Sequence, residues 1–271
     1  MRIRTGKAGK EGEEWLGGEE RTVAFVDILG FSAKVQEVAR RPASFRKIVI
    51  ALLGSSAVVP ADVGDDLPSL LASQEGEKRY GVDLQAAFFS DSTYISARNV
   101  EGGADRVVNV VLGYARHLLK REFFVRGGIA RGLAAHRGGT VVGPAVLTAY
   151  FMEQKAAVYP RIVLQDEVAE SLLKIAKGPN ATATVRRGED GLYFLDVLTT
   201  LGLREDGEAM LRQARKLIVE HLEDRRSLDL HAKWRWLAAQ YNRALRSVGG
   251  KGRQTPSPIE RPDVAELPDA L

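Results

Sequence analysis

The sequence predicts an α+β fold, a mixed and mainly antiparallel sheet with helices packed on it. Two stretches, Val23–Val26 and Val82–Phe89, alternate or run apolar and stop at turn residues, as buried strands do. Between 104 and 121, Val107, Val108, Val111, Leu112, Ala115, Leu118 and Leu119 recur on one helical face. Up to residue 130 the order is strand, helices, strand, strand, helix, strand, which gives a sheet with helices on one side.

The elements follow in order. Residues 1–20 are rich in glycine and charge and read as a flexible arm. Val23–Val26 form the first strand, and Ser32 is placed to cap a helix over 33–38. Pro42 breaks the pattern, a second amphipathic helix is expected over Phe45–Leu53, and 54–80 read as a long connection. A hairpin follows, Val82–Phe89 and Thr93–Ala97 around Ser90-Asp91-Ser92. After the central helix, where His117 reads as a surface or packing residue, Phe123–Ala130 form a strand. Its glycines at 127 and 128 permit close backbone approach.

Residues 131–142 read as a glycine-rich connection and 144–157 as a helix. A short strand at 161–164, a helix at 166–176 capped by Asp166, and a strand pair around the 188–191 turn complete the domain. The expected organisation is an arm at 1–20, a catalytic domain at 21–205, a helical extension at 206–247 split near Ser227, and a disordered tail at 248–271 without a packed face. The stripe Trp234, Leu237, Tyr241 and Leu245 is expected to pack on the core or on a dimer partner.

Composition narrows the function. The 271 residues suit one large domain with extensions, or two small ones. There is no cysteine, hence no disulfide framework and no thiolate metal site, and the four histidines are dispersed. The net charge of +4 arises from interspersed acids and bases, so no nucleic-acid surface is indicated, although the excess suits an anionic triphosphate. No apolar run is long enough for a bilayer and no signal-peptide core is visible, so no membrane partner and a cytoplasmic location are expected.

Two acids carry the chemistry. Asp27 ends a buried strand and faces a helix start at Gly30-Phe31-Ser32, where free backbone N–H groups can receive phosphate. Asp91 sits at a hairpin tip, a place where aspartate otherwise serves turn geometry. If adjacent strands bring them together, they form an oxygen-only site suited to Mg²⁺ or Mn²⁺ carrying a nucleotide's phosphates. A nuclease or phosphatase would want more converging acids or histidines.

These stretches carry a resemblance. Phe25–Ser32 resembles the first metal motif of class III nucleotide cyclases, and Phe89-Ser90-Asp91-Ser92 is similar to the second. Phe124–Gly132 resembles the strand after the central helix, and Gly143–Val146, Ala149-Tyr150 and Met152-Glu153 the following turn and helix. More narrowly, Phe88–Ser92, Arg126–Ile129, Gly143–Ala145 and Tyr159–Ile162 resemble bacterial pyrimidine cyclases of the Pycsar anti-phage system.

The resemblance implies a class III cyclase-like βαββαβ sandwich and a homodimer. It also implies two Mg²⁺ or Mn²⁺ ions per site, held by Asp27, Asp91 and the carbonyl of Ile28. The substrate's phosphates would lie on Leu29, Gly30, Phe31 and Ser32; apart from the resemblance, Arg126 and Tyr150 are candidate substrate contacts, as a basic or hydroxyl-bearing wall for a base. The purine-reading positions of the family match Ala87 and Pro144, which offer no side-chain hydrogen bond. The family's transition-state asparagine and arginine match Leu147 and Phe151. Arg126, Arg131 and Arg161 are the candidates to replace that charge, with Arg161 favoured as a catalytic residue alongside Asp27 and Asp91. Phe88, Tyr94 or Tyr150 would fill the space that a smaller base leaves.

The expected activity is a uridylate cyclase converting UTP to 3′,5′-cyclic UMP and pyrophosphate, a messenger for a cyclic-nucleotide-gated effector in anti-phage defence. A cytidylate cyclase, or a degenerate cyclase-like domain that senses a nucleotide, stays open.

Overall fold

The computed structural model describes residues 17–38, 46, 48, 81–137, 139–175, 185–223, 228–250, 252–261 and 264. The helix expected over 45–53 and the connection over 54–80 lie outside them, apart from Arg46 and Ile48, which are helical. So do residues 1–16 of the expected arm.

Strand β1 (Glu19–Ile28) is central, with β3 (Ser92–Arg98) and β4 (Val125–Arg137) antiparallel on its two sides. Strand β2 (Gln85–Phe89) pairs with β3 at one edge. Beyond β4 come β6 (Ile162–Leu164), parallel to it, then β8 (Tyr193–Leu195) and β7 (Val185–Arg187), giving the order β2-β3-β1-β4-β6-β8-β7. A short β5 (Thr140–Val142) folds back on β4. The sheet is thus mixed and mainly antiparallel, as the sequence predicts.

The period of two along β1 sorts its side chains onto two cores. Ala24, Val26 and Ile28 meet α2 (Gly103–Leu119), while Val23 and Phe25 meet α3 (Pro144–Phe151) on the other face. Val107, Val108, Val111 and Leu112 of α2 are wholly buried, each contributing about 1.5–3 kcal/mol. His117 is buried there too, beside the Arg121 guanidinium, as packing. Helix α1 (Phe31–Val38) follows β1, and α4 (Asp166–Ile175) follows β6.

Two expectations need correction here. Residues 131–137 are not a connection but the continuation of β4. Gly132, at φ +149°, lets the strand bend without ending, and β5 then pairs with that extension. Helix α1 begins at Phe31, so Ser32 lies exposed within its first turn and the left-handed Gly30 (φ +72°) makes the corner instead.

Helices α5 (Val197–Gly202), α6 (Gly207–Glu223) and α7 (Leu228–Gly249) share a second core. Trp234, Leu237, Tyr241 and Leu245 all point into it, with Phe124 edge-on to Trp234 at 5.6 Å. That stripe is therefore spent within the chain and leaves no face for a dimer partner. The tail also departs from expectation. Ile259 is buried in the same core, and its N–H and carbonyl both bond the Asn242 side chain, at 2.8 and 3.0 Å. No helix of the described residues is long and apolar enough to cross a membrane.

Candidate functional site

The strand ladder brings the two acids together. Asp27 stands across from Ser92 on β3 and from Arg126 on β4. Asp91 precedes Ser92 in the turn between β2 and β3, where Ser90 takes the left-handed conformation (φ +56°). The Ile28 N–H donates to the Asp91 carbonyl at 3.2 Å, locking the hairpin tip beside the end of β1. Neither acid needs the other for its own turn or strand, so their adjacency comes from the register alone.

Asp27 is largely withdrawn from water, with 17% of its side chain exposed. Burial raises its pKa above the ordinary 3.8. The Arg126 guanidinium opposes that rise, and the nearby Asp91 charge adds to it. Arg126 Nε–H donates to Asp27 Oδ2 at 3.3 Å, and the same nitrogen lies 2.7 Å from Glu153 Oε1.

Glu153 is a site residue that the sequence reading did not single out. It is wholly buried, on a π-helical turn (Met152–Ala156) that prolongs α3. Gln154 Nε2 donates to its Oε2 at 2.6 Å, whereas Oε1 receives a hydrogen bond from no described residue. Burial raises the Glu153 pKa, Arg126 lowers it, and the Asp27 charge raises it again. Single-turn π insertions recur at functional sites because they re-aim one side chain without breaking the helix. Gly128 makes the approach possible. A Cβ there would run into the Ala149 carbonyl and lie 2.6 Å from Met152 Cβ. The close approach expected from the glycine pair is this turn settling on β4.

Other expected residues divide into those on this face and those elsewhere. Tyr150 is at the site, edge-on to Phe25 at 5.4 Å, and Phe25 in turn packs on Tyr94 at 4.8 Å. Tyr94 pairs across from Ala87, and burial raises its pKa with help from Tyr150 and Glu153. Phe88 points to the opposite face, edge-on to Tyr114 of α2, so it fills no space at the site. Gly30, Phe31 and Ser32 form the start of α1, whose first N–H groups have no partner within the helix. The Phe31 side chain is core, packed toward Phe123 at 6.4 Å. The Leu29 N–H is engaged within the fold, donating to the Phe124 carbonyl at 2.9 Å.

Arg161 needs the largest correction. It is buried, ion-paired with Asp190, and caged by the rings of Tyr159, Phe194 and Trp236 at 5.7–6.0 Å. Its Nη2 donates to the Ala156 carbonyl at 3.2 Å, closing the C-terminal end of the π turn. A guanidinium held by this many partners is not free to meet a phosphate. Arg131 is likewise engaged elsewhere, donating to Ser171 Oγ on α4 at 3.3 Å. Of the three arginine candidates, Arg126 alone stands at the acids.

The donor set suits a hard divalent cation: two neighbouring carboxylates, one of them made reluctant to ionise first by its burial and then by the other's charge. Among the described residues no three acidic or histidine side chains form a ready-made cage, so such a cation would complete its shell with phosphate and water oxygens.

No family model matches the chain, and no curated protein matches it. Among solved structures it is similar to a bacterial light-regulated adenylyl cyclase. One such structure gives a TM-score of 0.38 at 15% identity over 65% of this chain and 50% of the other; a second gives 0.37 at 16% over 66% and 51%. The chain thus spans about half the length of each.

Proposed function

We propose that this chain is a nucleotide cyclase that converts UTP to 3′,5′-cyclic UMP and pyrophosphate. The observation that carries the proposal is the pairing of Asp27 with Asp91 at the end of β1, beside the open N–H groups of α1 and the Arg126 cation. A pair of Mg²⁺ or Mn²⁺ ions, when bound there, supplies acidification of the ribose 3′-hydroxyl and neutralisation of phosphate charge.

The chain's own residues do the rest. Asp27 and Asp91, with the Ile28 carbonyl, would hold the cations. The N–H groups at the start of α1 receive the terminal phosphates, in line with the helix dipole. Arg126, directly across from Asp27 on the neighbouring strand, would offer its outer N–H groups to the charge that develops on the α-phosphate as the 3′-oxygen attacks. The π turn and Gly128 fix where that guanidinium sits.

For the base, Ala87 removes the polar group that would read a purine edge, and Tyr94 and Tyr150 crowd the same face. A site without donors and acceptors for a purine edge gains nothing from that edge, and the smaller ring fits the reduced space. Uracil's two carbonyls suit the Tyr150 hydroxyl or Arg126, whereas cytosine's amino group wants an acceptor. Exposed Leu147 (58%), Phe151 (47%) and Phe89 (81%) give the surface around the site an apolar character suited to a second copy of the chain. The same reading makes the product a messenger for a separately encoded effector, with phage infection as the trigger.

One observation favours a second reading, a module that senses a nucleotide without turning it over. Leu147 and Phe151 place only apolar groups where a cyclase of this kind would present an amide and a cation. Purified protein incubated with each of the four triphosphates and Mn²⁺ separates these outcomes by product mass, and sedimentation of the same preparation reads the dimer. Cyclic UMP is expected. Cyclic CMP overturns only the base assignment, cyclic AMP or GMP overturns the pocket argument, and tight UTP binding without product favours the sensor.

A further inference from the structure

We propose that Glu153 is the positioning residue of Arg126, a buried acceptor held in reserve, to which the guanidinium passes when Asp27 turns to a divalent cation. This rests on the metal reading of Asp27. Arg126 Nε carries one proton, and two carboxylates lie within its reach: Asp27 Oδ2 at 3.3 Å and Glu153 Oε1 at 2.7 Å. Its N–H is directed at Asp27, which leaves Glu153 Oε1 wholly buried and without a hydrogen bond. A buried carboxylate oxygen with no donor is costly to keep, and a second state in which it is satisfied accounts for its place here.

The turn that carries Glu153 is held from three sides. The Ala157 N–H closes it on the Met152 carbonyl at 2.8 Å, Arg161 caps its last carbonyl, and Gly128 gives it a floor without a side chain. The acceptor is therefore fixed, and the Arg126 side chain, 23% exposed, is the movable partner. For Asp27 to hold a cation, Arg126 would have to leave that carboxylate. Passing the Nε–H to Glu153 releases Asp27 and keeps two positive charges from sharing one acid. It also holds the guanidinium in place, with its outer N–H groups still turned to the site.

The test is a double-mutant cycle on Mn²⁺ binding to the nucleotide-free, full-length protein, read by the electron spin resonance of free Mn²⁺. Glu153→Gln should weaken binding by about tenfold, because Arg126 then stays on Asp27. Arg126→Ala should tighten it, and the double variant should bind like Arg126→Ala alone. Equal weakening by Glu153→Gln in both backgrounds, or none in either, overturns the proposal. Wild-type binding that survives Asp27→Ala and Asp91→Ala overturns the metal reading instead, and this inference falls with it.

Should Glu153→Gln fail to fold, the wild-type protein still decides. The Arg126 Nε–H nuclear resonance, assigned by its loss in Arg126→Lys, should shift and stay protected from solvent exchange on Mg²⁺ addition. Its disappearance into fast exchange overturns the transfer.

Discussion

Arg21 and Asp27 stand near opposite ends of β1 on the same face, and their surroundings differ in kind. All five N–H groups of Arg21 find acceptors: Ser96 Oγ at 2.9 Å, Glu19, the Asp83 side chain at 2.8 Å, and the carbonyls of Asp83 and Ser96. Burial would raise the Asp83 pKa, but hydrogen bonds from Arg21 and Gln85 outweigh it and hold the carboxyl below its ordinary value. His136, whose Nδ1 lies 2.8 Å from Ser96 Oγ, is pushed down to about 4 by burial and by Arg21, and so stays neutral beside the cation. At the other end one guanidinium serves two acids, both acids resist ionisation, and one buried oxygen has no donor. The charges of the first end are partnered by folding, although the His136 Nε2 is buried without a partner among the described residues, and the charge of the second end is left for something else to finish. Perturbed carboxylates with incomplete partners mark functional sites for this reason.

The sharpest way to break the contrast is to remove the acids of the unfinished end. Asp27→Asn and Asp91→Asn should each lower cyclic nucleotide yield by at least about a hundredfold, while the protein still unfolds in one cooperative transition. Near-normal yield from both would dissolve the site. The next effect in size belongs to the finished end. Arg21→Met should cost about 2–3 kcal/mol in urea unfolding, less than for a fully buried pair because Asp83 and Glu19 are each about a third exposed. The wild-type advantage should also fade in acid. Asp83 loses its bound proton more readily in the folded chain, so its stabilisation is present above the ordinary 3.8 and lost as pH falls through its depressed value.

The smallest effect has the opposite sign. Asp27 has a raised pKa, so the folded chain binds its proton more tightly than the unfolded chain does. Stability then falls as pH rises from 3.8 through that raised value. Asp27→Asn should accordingly raise Tm by a few degrees at neutral pH, and the gain should shrink toward pH 4. A lower Tm at neutral pH would mean that Arg126 already compensates the charge.

What was legible in the sequence follows the range of the interactions involved. Val23–Val26, the hairpin around Asp91 and the central helix are written in local periodicity, and the adjacency of the two acids follows once the strands pair. Glu153 was not legible, because its burial comes from a π turn that breaks the helical period and from a glycine on another strand. Met152-Glu153 marks only a helix, and the Gly127-Gly128 pair announces a close approach without naming the visitor. The setting of Arg161 is not legible from its short motif. Its cage is assembled from Tyr159, Phe194 and Trp236, on three separate parts of the chain, and no local pattern encodes that meeting. The end of β4 was missed because Arg131, Gly132, His136 and Arg137 look like a loop, although the backbone keeps its ladder.

The clasp between Asn242 and Ile259 gives residues 252–261 an unusual standing for a segment with no regular structure. Its middle is fastened by three side chains, since Tyr241 Oη and Arg215 Nε also donate to the Ser257 carbonyl, at 3.3 and 3.0 Å. Amide exchange at Ile259 therefore reports the opening of α7 itself, and a protease seeking a loose end here must wait for that helix to part from α6.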